Sequence, residues 1–66
     1  MRASYANYSV IRDKRGMTDY AVAQESGVAT ATISAWKAGD YRPKVEKLSD
    51  IAAVLKCDIM DLMEED

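Results

Sequence analysis

The chain has 66 residues, a net charge of −2, one cysteine and no histidine. A lone Cys57 forms no internal disulfide, and without histidine or a second thiol there is no ordinary zinc site, so both staples of very small proteins are excluded. With 48% apolar residues the chain can build one small core, and a single domain over 1–66 is expected, although chains of this size bury only about 60% of their unfolded surface.

Residues 1–20 hold no long apolar run, so no signal peptide or membrane span is expected, and a reducing cytoplasm is the expected compartment. Residues 1–4 are expected to fray. A first helix is predicted from Tyr5 to about Arg15, with Tyr5, Tyr8 and Ile11 on one stripe and Arg12, Lys14 and Arg15 on other faces. The tyrosines read as core or half-core packing. Gly16 ends this helix, and Met17 stands where a hydrophobic staple belongs.

Thr18 is a good N-cap for a second helix, Asp19 to Ser26, and Asp19 puts a negative charge in its first turn. Val22 and Ala23 share a side. Gly27 supplies a positive-φ turn, and Val28 follows as an apolar residue. The third helix is predicted from Thr30 to Ala38, closed by Gly39. Wound at about 100° per residue, it gathers Ala29, Ile33 and Trp36 toward the core. Ala29 is a poor cap, so the start shifts to Thr30 or is weak.

Asp40 to Lys44 form a loop, and Pro43 fits the first position of the next helix. That fourth helix, Val45 to Leu55, carries Leu48, Ile51, Ala52 and Leu55 as the clearest amphipathic stripe in the chain. Lys56 stands where glycine would make the best helix end. Asp58 caps a short fifth helix, Ile59 to Met63, with Ile59, Leu62 and Met63 inward. Glu64, Glu65 and Asp66 make an acidic tail. No strand, repeat or linker is predicted. The fold class is all-α, a compact bundle of five short helices.

The usual general base is missing with histidine, and no serine or threonine has an activating partner. No Gly-rich phosphate loop occurs. Cys57 precedes a helix cap that favours a thiolate, but it reads more simply as a small buried apolar residue. No enzyme, cofactor, metal or small-molecule ligand is expected.

Ala23, Gly27, Ile33 and Trp36 fit two helices crossing steeply. A small residue permits close approach, a glycine makes the turn, and two large side chains fill the angle. The run GVATATISAWKAG resembles the recognition-helix signature of the lambda-repressor-like, Cro-type helix-turn-helix family, also called XRE, and the similarity extends from about Tyr8 to Met63. The helix-turn-helix itself covers 18–39 within a core of about 5–63. The resemblance implies a small transcriptional regulator that binds double-stranded DNA sequence-specifically, as a homodimer on a pseudo-palindromic site. With 66 residues there is no room for an effector domain, so a repressor of the Cro or phage kind is expected. The alternative is an interaction module, such as an antitoxin or anti-repressor, using its acidic end on a protein partner.

The third helix turns Thr30, Ala31, Ser34, Ala35 and Ala38 outward, a face with neither charge nor bulk. Such a face suits a major groove: Ala31 and Ala35 reach thymine methyls, and Thr30 and Ser34 reach base edges by hydrogen bonds. The resemblance places phosphate contacts at Thr18, Arg42 and Lys44. Lys37, at the edge of the helix, turns to DNA or stays solvated. Asp19 replaces a phosphate-touching Gln and is expected to repel a phosphate. Arg12 resembles a residue that pairs with a Glu after the Trp, but Lys37 stands there, so the pair is expected to be lost. Residues 1–47 carry eight Lys/Arg and five Asp/Glu, whereas 48–66 carry one Lys and six acids. The acidic end should therefore point away from DNA. Cys57 to Met63 is the expected dimer surface.

Overall fold

The computed structural model describes residues 1–65. Four α-helices form: α1 (Tyr5–Lys14), α2 (Asp19–Ser26), α3 (Thr30–Ala38) and α4 (Val45–Leu55). A one-turn 3-10 helix, Ile59–Leu62, follows. The expected fifth helix is thus shorter than read and of a tighter kind. Leu62 is its buried residue, and Met63 has already turned to extended backbone, where it pairs with Ala3.

Two short strands were not foreseen. β1 (Arg2–Ala3) pairs antiparallel with β2 (Met63–Glu64), Arg2 opposite Glu64 and Ala3 opposite Met63. The N-terminal residues are therefore held rather than frayed. Ser4 N donates to Leu62 O at 2.8 Å, Asn7 Nδ2 donates to Met63 O at 2.9 Å, and Arg2 pairs with Glu64 at 3.2 Å. Glu64 belongs to this ladder, and of the expected acidic tail Asp66 lies outside the described residues.

Side-chain caps start α1 and α2, whereas α3 and α4 start without one. The Ser4 hydroxyl caps α1 by accepting from Asn7 N, and the Thr18 hydroxyl caps α2 by accepting from Ala21 N, both at 3.1 Å. Gly27 and Gly39 end α2 and α3 at φ 79° and 84°, a backbone region that costs a residue with a Cβ roughly 1–2 kcal/mol. Lys56 ends α4 in the same region, at φ 55°, with Cys57 N closing back on Ala52 O at 3.1 Å. Arg15 supports that end: its Nε donates to Leu55 O at 2.7 Å and its Nη2 to Lys56 O at 3.2 Å. Pro43 lies two residues ahead of α4, outside it and buried, because Lys44 takes the cap position.

α4 is the floor of the molecule. Leu48, Ile51 and Leu55 are fully buried and meet Val22 and Ala23 of α2, Val28, Ile33 and Leu62 in one cluster. Burying each aliphatic side chain contributes about 1.5–3 kcal/mol. Tyr8 and Trp36 close the other side of that cluster, with Tyr5, Ile11, Met17 and Cys57 packed around it. No helix among the described residues is long and apolar enough to cross a membrane.

Candidate nucleic-acid interface

The α2–turn–α3 unit is set by small contacts with large consequences. Ala23, with almost no exposed surface, leaves room for α3 to approach. Ser26 accepts from Val28 N at 3.2 Å and so helps to shape the turn. Ile33 and Trp36 are buried as their spacing requires. Ala29 is not inward as expected. It is the N-cap residue, at φ −62° and ψ 141°, off the helix and exposed, and it offers no side-chain cap. The helix starts at Thr30.

With Ile33 and Trp36 fixed inward, Thr30, Ala31, Ser34 and Ala38 stand exposed, whereas Ala35 is half-buried. Four of the five expected groove-facing side chains are thus fully presented, and Ala35 sits at the edge of that face. No carboxylate rises from it. Lys37 is exposed beside it. Gly39 N donates to Trp36 O at 3.1 Å and Asp40 N to Ala35 O at 2.9 Å, a closure that throws the next loop sideways. That loop carries Arg42 and Lys44, both exposed, with no carboxylate in ion-pair range among the described residues.

Thr18 is exposed at the start of α2. Its oxygen accepts from Ala21 N, and its hydroxyl can still donate its proton. Beside it, Asp19 behaves differently from the expectation of an outward, repelling charge. Its carboxylate turns to α1, accepting from Tyr5 Oη at 2.6 Å, Tyr8 Oη at 2.7 Å and Arg12 Nη1 at 2.7 Å. Burial alone would raise its pKa, but the hydrogen bonds from Tyr5, Arg12 and Tyr8 outweigh burial and hold it below the ordinary 3.8. Burial, then the bond to Asp19, push both tyrosine hydroxyls upward, so they stay neutral donors. Arg12 also bonds Asp13 at 2.8 Å and sits over the Tyr8 ring, 5.7 Å from its centroid. The ion pair expected to be lost is replaced by another one.

This network locks the helix-turn-helix to α1. Tyr5, Tyr8 and Trp36 stack around it, with ring centroids 5.0–5.6 Å apart in tilted and edge-on pairs. Sequence reasoning missed Asp19 as an anchor. The available signal was Tyr5, Tyr8 and Arg12 at spacings of three and four, one helix face whose polar tips require a common partner.

Cys57 is half-buried, and burial followed by Asp61 pushes its thiol upward, away from the reactive thiolate. Among the described residues no group of three His, Cys, Asp or Glu side chains could hold a metal ion.

Against known families, a helix-turn-helix family model matches residues 10–62, most of the chain. This protein belongs to the helix-turn-helix family of the lambda-repressor and Cro type, a family of DNA-binding domains. None of the curated proteins is similar enough to count as a match.

Proposed function

We propose that this protein recognises a specific sequence in double-stranded DNA and acts as a small transcriptional repressor of the Cro or phage kind, as a homodimer on a pseudo-palindromic site in the bacterial or phage-infected cytoplasm. The observation that carries this reading is the outer face of α3: Thr30, Ala31 and Ser34 are exposed, small and uncharged beside a buried Ile33 and Trp36. Exposed helix faces normally carry lysine and glutamate for solubility. A face stripped of both suits the floor of a major groove, where bulk and negative charge would prevent approach.

In this reading the face divides its work. Thr30 and Ser34 hydrogen-bond base edges, and Ala31 and Ala35 touch thymine methyls. Lys37, Arg42 and Lys44 flank the face and take phosphates, fixing register without reading sequence. Thr18 donates its hydroxyl proton to another phosphate, helped by the N–H groups of Asp19 and Tyr20, which have no partner within α2. The inward turn of Asp19 is what permits this, since its charge is spent on Arg12 and two phenols. A regulator of this kind represses by occupying its site.

The test is selection of bound duplexes from a random pool, followed by titration of the winner and a scrambled duplex at two salt concentrations. Sequence-specific binding gives a winner preferred at least about a thousandfold. Equal affinity for both duplexes at all salts would reject the reading.

A further inference from the structure

A cleft of about 150 Å³ lies where the N-terminal strand, the end of α3 and the following loop meet. Ala3, Ser4, Trp36, Tyr41, Arg42 and Glu64 are in its wall. Two observations single it out. Trp36 is 3% exposed, and its Nε1–H is the one buried side-chain polar atom among the described residues without a hydrogen-bond partner. Buried donors are nearly always paired, so an orphan in the wall of a cleft calls for an acceptor. The second observation is a pair of opposite charges that do not use each other. Arg42 has no carboxylate in ion-pair range among the described residues, and Glu64 gives its Oε1 to Arg2 at 3.2 Å.

We infer that this cleft binds a free α-amino acid with a small side chain. The ligand's carboxylate accepts from the Trp36 Nε1–H and from Arg42, and its ammonium donates to Glu64. The Ser4 hydroxyl, which accepts from Asn7 N, can still donate its proton to the same carboxylate. An anion alone would set like charge beside Glu64. A cation alone would leave the indole N–H unanswered and stand beside Arg42. A molecule with both charges a few bonds apart meets all three groups. Volume sets the size: a cavity of about 150 Å³ holds a molecule of about six heavy atoms, the size of alanine. Ala3 and the Tyr41 ring, also in the wall, suit a methyl group.

The ligand site stands apart from the DNA reading, and only its consequence for regulation rests on that reading. Arg42 is a proposed phosphate contact on the loop after α3. An amino acid that takes the guanidinium competes with DNA for it, so each ligand weakens the other by the same factor.

The experiment uses the whole chain, whose single tryptophan gives a single indole N–H peak in a proton–nitrogen NMR spectrum. L-Alanine, acetate, ethylamine and inorganic phosphate are each titrated at neutral pH against the parent, Arg42→Gln and Glu64→Gln. Both substitutions are outside the core and should melt within a few degrees of the parent. In the parent, alanine should move the indole peak saturably, with a Kd between about 0.1 and 10 mM, the range open to so small a ligand. Acetate, ethylamine and phosphate should bind at least about tenfold more weakly, and each variant should lose at least about tenfold for alanine. No saturable movement, equal binding of acetate or phosphate, or unchanged alanine binding in either variant would overturn the inference. Saturating alanine, a zwitterion that adds no screening salt, should also weaken binding of the parent to its selected duplex at least about fivefold. A duplex affinity that ignores alanine would overturn the shared use of Arg42. If no duplex is selected at all, the DNA reading falls, and the indole titration alone decides the site.

Discussion

Asp19 opens α2, yet its carboxylate serves the interior, because three donors on α1 converge on it. Its depressed pKa has a pH consequence. A carboxyl held below its unfolded value of about 3.8 stabilises the fold fully above that value, and the contribution disappears as pH falls through the folded pKa. Melting of the parent should therefore weaken below about pH 4, and Asp19→Asn should melt lower at neutral pH with a flatter acid limb. An acid limb identical to the parent's would contradict the role given to Asp19. Trp36 is 3% exposed and stacked on two tyrosines, so Trp36→Ala should cost about 3–5 kcal/mol, a large part of a small domain's stability. Thermal unfolding followed by circular dichroism checks this. Lys56 holds a left-handed backbone with a Cβ in place, and Lys56→Gly should raise the unfolding free energy by about 1 kcal/mol in a urea titration. The core roles of Trp36 and Ile33 are legible from their spacing of three. The fate of Asp19 is legible only in part: the spacing of Tyr5, Tyr8 and Arg12 marks a face of α1 that needs an acid, but which acid meets it depends on how α1 packs against α2, 11 to 14 residues further on from the tyrosines.

Whole elements were easier to read than single side chains where a stripe or a cap marks them. The ranges of α2, α3 and α4 follow from Thr18, Gly27, Gly39 and the α4 stripe. The one-turn helix and the two strands were harder. A four-residue segment has too few apolar positions to set a period, and the β1–β2 ladder joins residues some sixty apart by backbone bonds that no local pattern announces. The proposed division of labour between α3 and its following loop has a sharp signature. Arg42→Ala or Lys44→Ala should weaken binding to every duplex and reduce the log–log salt slope by about 0.9 per phosphate lost. Ser34→Ala or Thr30→Ala should leave the slope alone and relax preference at one or two base pairs by roughly 1–3 kcal/mol each. Titrations of selected and scrambled duplexes at several salt concentrations separate the two patterns, and a changed slope for Ser34→Ala would contradict the assignment.

At the scale of the whole molecule, a net negative chain can serve DNA only if its charges are segregated. Arg2, Arg12 and Arg15 are engaged internally, by Glu64, by Asp13 and Asp19, and by the α4 carbonyls. The exposed Lys37, Arg42 and Lys44 stand on α3 and its loop, but Glu64 of β2 lines one cleft with Arg42, so the separation that is clear along the chain is only partial in space. The division along the chain is visible in the sequence, but which cations take internal partners and how near β2 comes to the loop are not, since both depend on packing between elements. The central claim is that the outer face of α3 enters the groove. Ala31 is exposed, so Ala31→Glu should fold and melt like the parent, yet press a carboxylate among base edges and phosphates. The direct measurement is the affinity of Ala31→Glu for the duplex the parent selects, at low and moderate salt, beside its melting curve. The account predicts an unchanged melt and at least about a hundredfold loss of affinity at both salts. Binding equal to the parent's would show that α3 does not enter the groove.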